Sequence, residues 1–350
     1  MQPRSRQRIK FLSRWLLLLF ITAILAGFSY EKLGERRDRE KFPQVGRSID
    51  IGGRSLNIFC SSEGRPAVIL DTGGGTAPGY ENLLIQKKIA QFTQACWFDR
   101  AGLGWSDPSP IEQTSAAVAD DLRSLLYAAD IPSPYVLVGS SFSGFNVRVF
   151  AGKYPKDVAG AILVDSAHED QYRFEPRVML APFNRLPKPI RNMLCAGVPL
   201  AARIGLVRLL SSTRPEPPLD PSSGFTSQQW ANLQGLERQP KSIVASAICN
   251  FEEKSPAQAR ASGNLGDLPL VVLTAGQPLT VGDPEADREL LAFHELWVHQ
   301  LQPQLAQLST KGRQVIVENS GHAIDPEAVL NAIHDVVAQI RGKQLIKEPT

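Results

Sequence analysis

The sequence predicts an α/β fold with a mostly parallel sheet, helices on both faces of the sheet and a helical cap insertion. Short apolar runs alternate with stretches of helical periodicity in residues 45–165 and again in 268–342, which is typical of repeated βα units. Between them, residues 166–267 are rich in proline and arginine and show helical stretches without a convincing strand. We therefore expect a core built from the two flanking parts and a cap over it.

The predicted strands are short and apolar, as the buried strands of a parallel sheet are. The first two form a hairpin about Gly52-Gly53, and helices separate the others. Predicted strands cover 45–51, 55–60, 67–70, 96–98, 135–138, 161–164, 268–274 and 314–317. Predicted helices cover 83–92, 118–129, 146–151, 285–309 and 329–340 in the core, and 189–210, 227–238 and 242–253 in the insertion.

The N-terminal residues have the pattern of an export signal. Residues 1–14 carry five basic side chains and no acidic one, and residues 15–30 are almost entirely apolar. This order predicts a signal anchor, or a signal peptide if the segment is cleaved. No Ala-x-Ala cleavage site follows, which favours the uncleaved anchor.

The orientation follows from the basic residues, which tend to stay in the cytoplasm. Residues 1–14 are then a cytoplasmic tail, and the body of the protein is exported to the periplasmic or extracellular side; cleavage would instead secrete it. Residues 31–44 are dense in mixed charge and are expected to form a solvated spacer, and 343–350 a tail.

The overall charge does not indicate a nucleic-acid partner. The formal net charge is +3, but without the five N-terminal cations 33 basic side chains remain against 35 acidic ones. Such a near-neutral body lacks the basic face that nucleic-acid binding requires. A length of 350 residues and a hydrophobic fraction of 43% suit one large domain with a buried core.

The chain has four cysteines, Cys60, Cys96, Cys195 and Cys249. In an exported protein an even number suggests disulfides, because these persist in oxidising compartments. Four cysteines allow three pairings, and buried free thiols are the alternative.

Ser141 is the predicted nucleophile. It lies where the apolar run 135–138 meets a Gly/Ser turn that leads into a helix. In this arrangement, a nucleophile elbow, the turn lifts the serine hydroxyl clear of the sheet. Gly139 and Ser143 occupy the two small positions around it, so the motif is Gly-x-Ser-x-Ser.

His322 is the predicted base, since a serine hydroxyl needs a neighbouring base to become a strong nucleophile. It follows the last predicted strand, at the end of the sheet where open α/β folds bind their ligands. His294 and His299 have one residue too many between them for the two-histidine zinc motif. No metal or cofactor is predicted.

The acid that orients the histidine is expected between Ser141 and His322 in the chain. Asp165 is preferred because it ends the strand that follows the elbow helix. Asp283 is the alternative, although it reaches His322 only if its loop folds back. Leu279 stands where an acid would be expected in that loop.

Gly74 and Phe142 are the predicted donors of an oxyanion hole, which binds the negative charge of the transition state with backbone N–H groups. Phe142 follows the nucleophile, and Gly74 lies in Thr72-Gly-Gly-Gly after the strand 67–70, with Gly73 as the alternative. A phosphate-binding glycine loop would need a following Lys-Ser/Thr pair, which this segment lacks.

Taken together, these features resemble the α/β-hydrolase superfamily from about residue 45 to 342. The resemblance implies that the second and fourth strands are neighbours and that Cys60 pairs with Cys96. Ser140, Ser143 and Thr72 depart from the histidine, glycine and histidine that are usual there. The motifs are Asp-Thr-Gly-Gly-Gly at 71–75, Phe-Asp-Arg-Ala-Gly-Leu-Gly-Trp-Ser-Asp-Pro at 98–108, Val-Gly-Ser-Ser-Phe-Ser-Gly at 138–144 and Ser-Gly-His at 320–322.

The sequence thus predicts a serine hydrolase that cleaves a carboxylic ester or a related acyl bond through Ser141, His322 and Asp165. The expected partners are a small-molecule acyl substrate and the membrane, the latter through residues 15–30. The oligomeric state is not predicted. A peptidase or lyase on the same fold is one alternative. A catalytically inactive, membrane-tethered binding module is the other.

Overall fold

The structure is a computed structural model that describes residues 3–179, 186–215, 217–219, 221–246 and 251–347. Within these ranges the side chains of 3–9, 222, 251–253 and 343–347 are not described.

Eight strands of the described residues form one sheet in the order β1-β2-β4-β3-β5-β6-β7-β8. The pairs β1–β2 and β2–β4 are antiparallel, and all other neighbours are parallel, which confirms the mostly parallel sheet. The strands are β1 (Arg47–Asp50), β2 (Ser55–Ser61), β3 (Val68–Asp71), β4 (Ala95–Phe98), β5 (Tyr135–Ser140), β6 (Val158–Val164), β7 (Leu270–Ala275) and β8 (Gly312–Val317).

The helices of the described residues precede, connect and follow these strands. They are α1 (Pro3–Lys41), α2 (Leu83–Ile89), α3 (Ser115–Ala128), α4 (Ser143–Lys153), α5 (Lys188–Arg203), α6 (Leu206–Ser212), α7 (Ser227–Glu237), α8 (Pro240–Ser246), α9 (Phe251–Ala261), α10 (Pro284–Leu296), α11 (Gln302–Ala306) and α12 (Pro326–Lys347). A π-helical turn, Trp297–Leu301, joins α10 to α11.

Helices cover both faces of the sheet, because successive strand side chains point to opposite faces. In β3, Ile69 belongs to a buried cluster that includes Leu125 of α3. Its neighbours Val68 and Leu70 belong to a second cluster that includes Ile333 of α12. Burial on both faces explains the continuous apolar runs of the central strands.

The segment 166–267 between β6 and β7 contains α5–α9 and no strand in its described residues. The helical stretch predicted near 189–210 is divided into two helices, α5 and α6. The chain turns at Gly205, whose φ of +73° ends α5 and starts α6. This left-handed conformation carries little strain only for glycine.

The predicted spacer 31–44 is helical over most of its length, since α1 continues to Lys41. Ion pairs one helical turn apart stabilise this part, Lys32 with Glu35 at 2.8 Å and Arg36 with Glu40 at 3.3 Å. By length and composition α1 is long and apolar enough to cross a membrane.

A disulfide joins β2 to β4. Cys60 and Cys96 face each other across the two strands and are bonded, which confirms the pairing that the family resemblance implies. Cys195 is disulfide-bonded as well. Cys249 lies outside the described residues.

Candidate active site

Ser141 lies in a tight turn between β5 and α4, with a left-handed φ of +52°. The turn requires small neighbours. A Cβ atom on Gly139 would lie 2.7 Å from Val147 Cγ2, and one on Gly144 would lie 2.4 Å from the Cβ atom of Ser166. These two glycines therefore let strand, turn and helix pass close together, as an elbow requires.

Ser143 stands at the position where the family usually has glycine, and it fits. Its side chain is fully buried, and its hydroxyl lies 3.0 Å from the carbonyl oxygen of Asp71 and 2.9 Å from that of Ser140. The single hydroxyl proton can be donated to either carbonyl, which compensates for the burial of the hydroxyl. The larger residue is accommodated without displacing the elbow.

The structure brings His322 to Ser141. The imidazole Nε2 lies 3.0 Å from Ser141 Oγ, although the two residues are far apart in the chain. The other ring nitrogen, Nδ1, lies 2.6 Å from Asp165 Oδ2. The hydrogen bond to Asp165 raises the pKa of the His322 imidazole above its ordinary value. Such a chain of hydroxyl, imidazole and carboxylate can move a proton from the hydroxyl to Nε2.

Asp165 is held from two further sides. Its side chain is buried, and Oδ1 accepts hydrogen bonds from the backbone N–H of Ala275 at 3.0 Å and from Trp297 Nε1 at 2.8 Å. Its own φ of +39° is left-handed, so the backbone is strained here as at the elbow. These contacts leave Oδ2 directed at His322.

Asp283 is engaged elsewhere. Its carboxylate caps the N-terminus of α10 by accepting hydrogen bonds from the N–H groups of Glu285 at 3.1 Å and Ala286 at 2.8 Å. Side-chain caps of this kind stabilise a helix start. Of the two candidate acids, the structure brings only Asp165 to His322.

The glycine loop after β3 lies against the elbow. A Cβ atom on Gly73 would be 3.4 Å from the Cβ atom of Ser141, and one on Gly74 would be 3.3 Å from the Cβ atom of Phe142. Phe142 is the residue immediately before α4, whose N-terminus carries partial positive charge. Both predicted oxyanion donors are thus next to each other and next to Ser141.

Arg100 binds the glycine loop through the backbone carbonyl oxygens of that loop. The sequence alone did not predict this role. The buried guanidinium of Arg100 donates to the carbonyl oxygens of Thr72 at 2.8 Å and Gly73 at 2.5 Å, and to Asp71 Oδ1 at 3.2 Å. Burial raises the pKa of Asp71, which also accepts a hydrogen bond from Asn146 at 2.8 Å. The motif at 98–108 contained the signal, but its contact with the loop depends on the fold.

Asp99, the preceding residue, braces the same motif. Its buried carboxylate accepts hydrogen bonds from the N–H groups of Gly79 at 2.6 Å and Trp105 at 3.0 Å and from Asn57 Nδ2 at 3.0 Å. Burial raises the pKa of Asp99 to about 6. The carboxylate thus fixes the turn from which Arg100 projects.

Two adjoining cavities lie near the site; a residue of the glycine loop lines only the smaller one, and neither Ser141 nor His322 lines either cavity. The smaller, of about 50 Å³, is lined by Gly75 and Arg100 and shares Ala101, Gln113 and Ala245 with the larger. The larger, of about 440 Å³, extends between α1, α5 and α8. No group of three or more potential metal ligands occurs among the described residues.

The sequence profile of the Alpha/beta hydrolase family matches residues 73–332. The chain belongs to the alpha/beta hydrolase family. Among curated relatives it is similar to the uncharacterized protein YbdG of Bacillus subtilis, with 26% identity over 166 residues that cover 47% of this chain and 50% of the relative. The chain spans about half the length of the curated relatives it matches.

Two further relatives of this alpha/beta hydrolase are informative. An uncharacterized vacuolar membrane protein of Saccharomyces cerevisiae is 34% identical over 128 residues, which cover 35% of this chain and 19% of the relative. A thermophilic esterase from Thermogutta terrifontis matches with a TM-score of 0.55 and 19% identity, over 85% of this chain and 99% of the esterase. At that identity the esterase shows a shared fold.

Proposed function

We propose that the protein is a serine hydrolase that cleaves a carboxylic ester or a related acyl bond. The observation that carries this proposal is the line of contacts from Ser141 Oγ to His322 Nε2, at 3.0 Å, and from His322 Nδ1 to Asp165 Oδ2, at 2.6 Å. A serine, a histidine and a carboxylate in this geometry form the catalytic triad that recurs on unrelated hydrolase folds.

In the proposed reaction, Ser141 Oγ attacks the substrate carbonyl carbon while His322 Nε2 takes the hydroxyl proton. His322 then returns this proton to the leaving alcohol, and an acyl-enzyme remains on Ser141. A water molecule releases the acid by the same two steps, with His322 again as base and then acid. Asp165 keeps the proton of Nδ1 in place and stabilises the imidazolium.

The backbone N–H groups of Gly74 and Phe142 are the proposed donors to the oxyanion that forms at the carbonyl oxygen. Their placement beside Ser141 supports this role, since such donors act only when they are fixed before the reaction. Arg100 is then a positioning residue, because it binds the carbonyl oxygens of the glycine loop.

The substrate is proposed to be a small molecule selected by residues 166–267 as a cap over the site. The two adjoining cavities support this part of the proposal, because the smaller one lies between Gly75 of the glycine loop and Ala245 of α8, and the larger one continues between α8 and α5. Pockets of a few hundred Å³ are typical for small-molecule substrates.

We assign α1 the role of an uncleaved signal anchor, with residues 1–14 in the cytoplasm and the catalytic part exported. The five basic residues near the start support this orientation. The Cys60–Cys96 disulfide is typical of an oxidising compartment. The close contact of Gly27 with Ile204 favours retention of the helix, because removal of residues 1–30 would remove this contact.

The test is hydrolysis of a panel of p-nitrophenyl esters by the full-length protein in detergent, beside Ser141→Ala and the neighbouring Ser140→Ala. Loss of hydrolysis in Ser141→Ala with retention in Ser140→Ala supports the proposal. Equal activity of all three proteins would refute the nucleophile. Absence of hydrolysis in the parent protein, with peptide substrates also uncleaved, would favour a binding module instead.

A further inference from the structure

The segment 166–267 exposes an apolar surface on α5 and α6. In each helix the apolar residues recur at spacings of three, four or seven positions and therefore share one face. On α5 this is the face opposite Pro199 and Ala202, which line the cavity toward α8. Contiguous exposed apolar patches mark sites that contact a protein partner or a membrane. The α5–α6 surface comprises Ile190, Met193, Leu194, Leu200, Leu206, Leu209 and Leu210, which are 41% to 66% exposed.

The corner between α5 and α6 packs against the apolar part of α1. A Cβ atom on Gly27 would lie 2.2 Å from the carbonyl oxygen of Ile204, and one on Gly205 would lie 2.6 Å from that of Gly27. Gly27 is one helical turn before Glu31, the first charged residue after the uncharged stretch 15–30. At about 1.5 Å per residue, the corner lies about 6 Å on the apolar side of Glu31.

Ion pairs align α6 with α1. Arg208 on α6 contacts Glu31 at 2.9 Å and Asp38, two turns farther along α1, at 2.8 Å. Together with the contact at Gly205, these pairs make α6 follow α1 away from the apolar stretch. The axis of α5 is turned by 87° from that of α6. Therefore α5 runs across α1, in the direction of the surface of a bilayer that α1 crosses.

Positive charge accompanies the apolar face. Residues 186–215 contain no acidic side chain, and besides Arg208, which is paired with Glu31 and Asp38, they carry four basic residues, Lys188, Arg191, Arg203 and Arg214. Helices that lie in a membrane interface combine an apolar face with basic side chains, which attract anionic lipid headgroups.

We propose that the α5 part of the α5–α6 surface, together with Leu206 at the corner, inserts into the outer side of the bilayer that α1 spans. The protein then touches the membrane twice, through α1 as a spanning helix and through α5 as a helix that lies in the headgroup region. A second copy of the chain fits this place less well. The corner is fixed against α1 at the depth of its apolar residues, so a protein partner would have to displace the lipid around α1.

This inference rests on α1 as the membrane anchor and is independent of the chemistry at Ser141. The test uses the full-length protein in vesicles of phosphatidylcholine with roughly one-third phosphatidylglycerol. The environment-sensitive fluorescent amino acid Anap replaces Met193 on α5, with Leu200 as a second position if the first variant does not fold. Phe20, 64% exposed on α1, is the membrane control, and Tyr127, 85% exposed on α3, is the aqueous control.

The readouts are the emission wavelength and quenching, either by iodide in water or by lipids with a doxyl group near the headgroup. We expect the Met193 probe to emit at shorter wavelength than the Tyr127 probe. We also expect roughly tenfold weaker iodide quenching at Met193 and strong doxyl quenching there, since interfacial helices lie 5–10 Å deep.

Iodide quenching at Met193 equal to that at Tyr127 would overturn the proposal. Protection at Met193 from both quenchers would overturn it too, in favour of a protein interface. An iodide-accessible Phe20 probe would remove the anchor on which the proposal rests. Fluorophosphonate labelling of each variant is measured independently of the quenching. Labelling equal to that of the parent protein shows that a variant is folded and that its serine is reactive, so failure of the membrane contact is distinguishable from failure of the proposed function.

Discussion

Replacement of Asp165 by asparagine tests the proposed triad without changing the size of the side chain. Oδ1 of Asp165 accepts from two fixed donors, the Ala275 N–H at 3.0 Å and Trp297 Nε1 at 2.8 Å. An asparagine must place its carbonyl oxygen toward these donors, because its NH₂ group would face them donor to donor. The NH₂ group then points at Nδ1 of His322.

The consequence is the wrong tautomer of His322. Nδ1 accepts a hydrogen bond from the asparagine, so the ring proton resides on Nε2, which can no longer accept the proton of Ser141. We expect kcat to fall about 10⁴-fold, equivalent to about 5 kcal/mol of transition-state stabilisation. KM should change little, because Asp165 is buried and points away from a substrate bound at Ser141.

The assay is steady-state hydrolysis of a p-nitrophenyl ester by the parent protein, Asp165→Asn and Asp283→Asn. The second variant is the matched control, since asparagine caps a helix about as well as aspartate and should leave both stability and kcat near the parent values. The reasoning is refuted if Asp165→Asn retains kcat within a few fold of the parent, or if Asp283→Asn is the variant that loses activity.

Three further predictions concern pH, the glycine loop and the disulfide. Because Asp165 raises the pKa of His322, the imidazole stays protonated to a higher pH than the ordinary value of about 6.5. Activity should thus fall as the pH decreases through that raised pKa. A pH–rate profile whose acid limb has its midpoint below the ordinary histidine pKa would contradict this. Arg100→Leu leaves Asp71 and two loop carbonyls without their partner, so we expect about 3 kcal/mol lower stability in urea denaturation and about 100-fold lower kcat. A variant with parent kcat would exclude Arg100 from positioning the loop. The Cys60→Ala/Cys96→Ala variant lacks a disulfide that joins residues 36 positions apart, so its free energy of unfolding should be about 4 kcal/mol lower in the same denaturation. An unchanged midpoint would show that the bond does not stabilise the sheet.

Much of the fold was predictable because the local sequence pattern indicates each strand. The run Val68–Leu70 is buried on both faces, and the helices α3 and α12 keep an apolar stripe, so period and burial agree. Ser141 and His322 could be chosen for a related reason. Ser141 follows β5 directly and His322 lies in the loop after β8, and the carboxyl ends of parallel strands meet at one edge of the sheet.

Other features depend on contacts that no local pattern contains. Trp297 donates to Asp165 from 132 positions away, and the π-helical turn that presents its indole lies inside a region that reads as one continuous helix. The close contact of α1 with the α5–α6 corner at Gly205 is likewise a tertiary contact. The role of Arg100 likewise appears only when β3 and β4 become neighbours.

Mass spectrometry of the intact protein after treatment with a fluorophosphonate, followed by peptide mapping, tests the nucleophile most directly. One adduct on Ser141, absent after prior acid denaturation, is the expected result, since only a serine that shares its proton with His322 reacts with this reagent at neutral pH. An adduct on another serine, or none on the folded protein, would contradict the account.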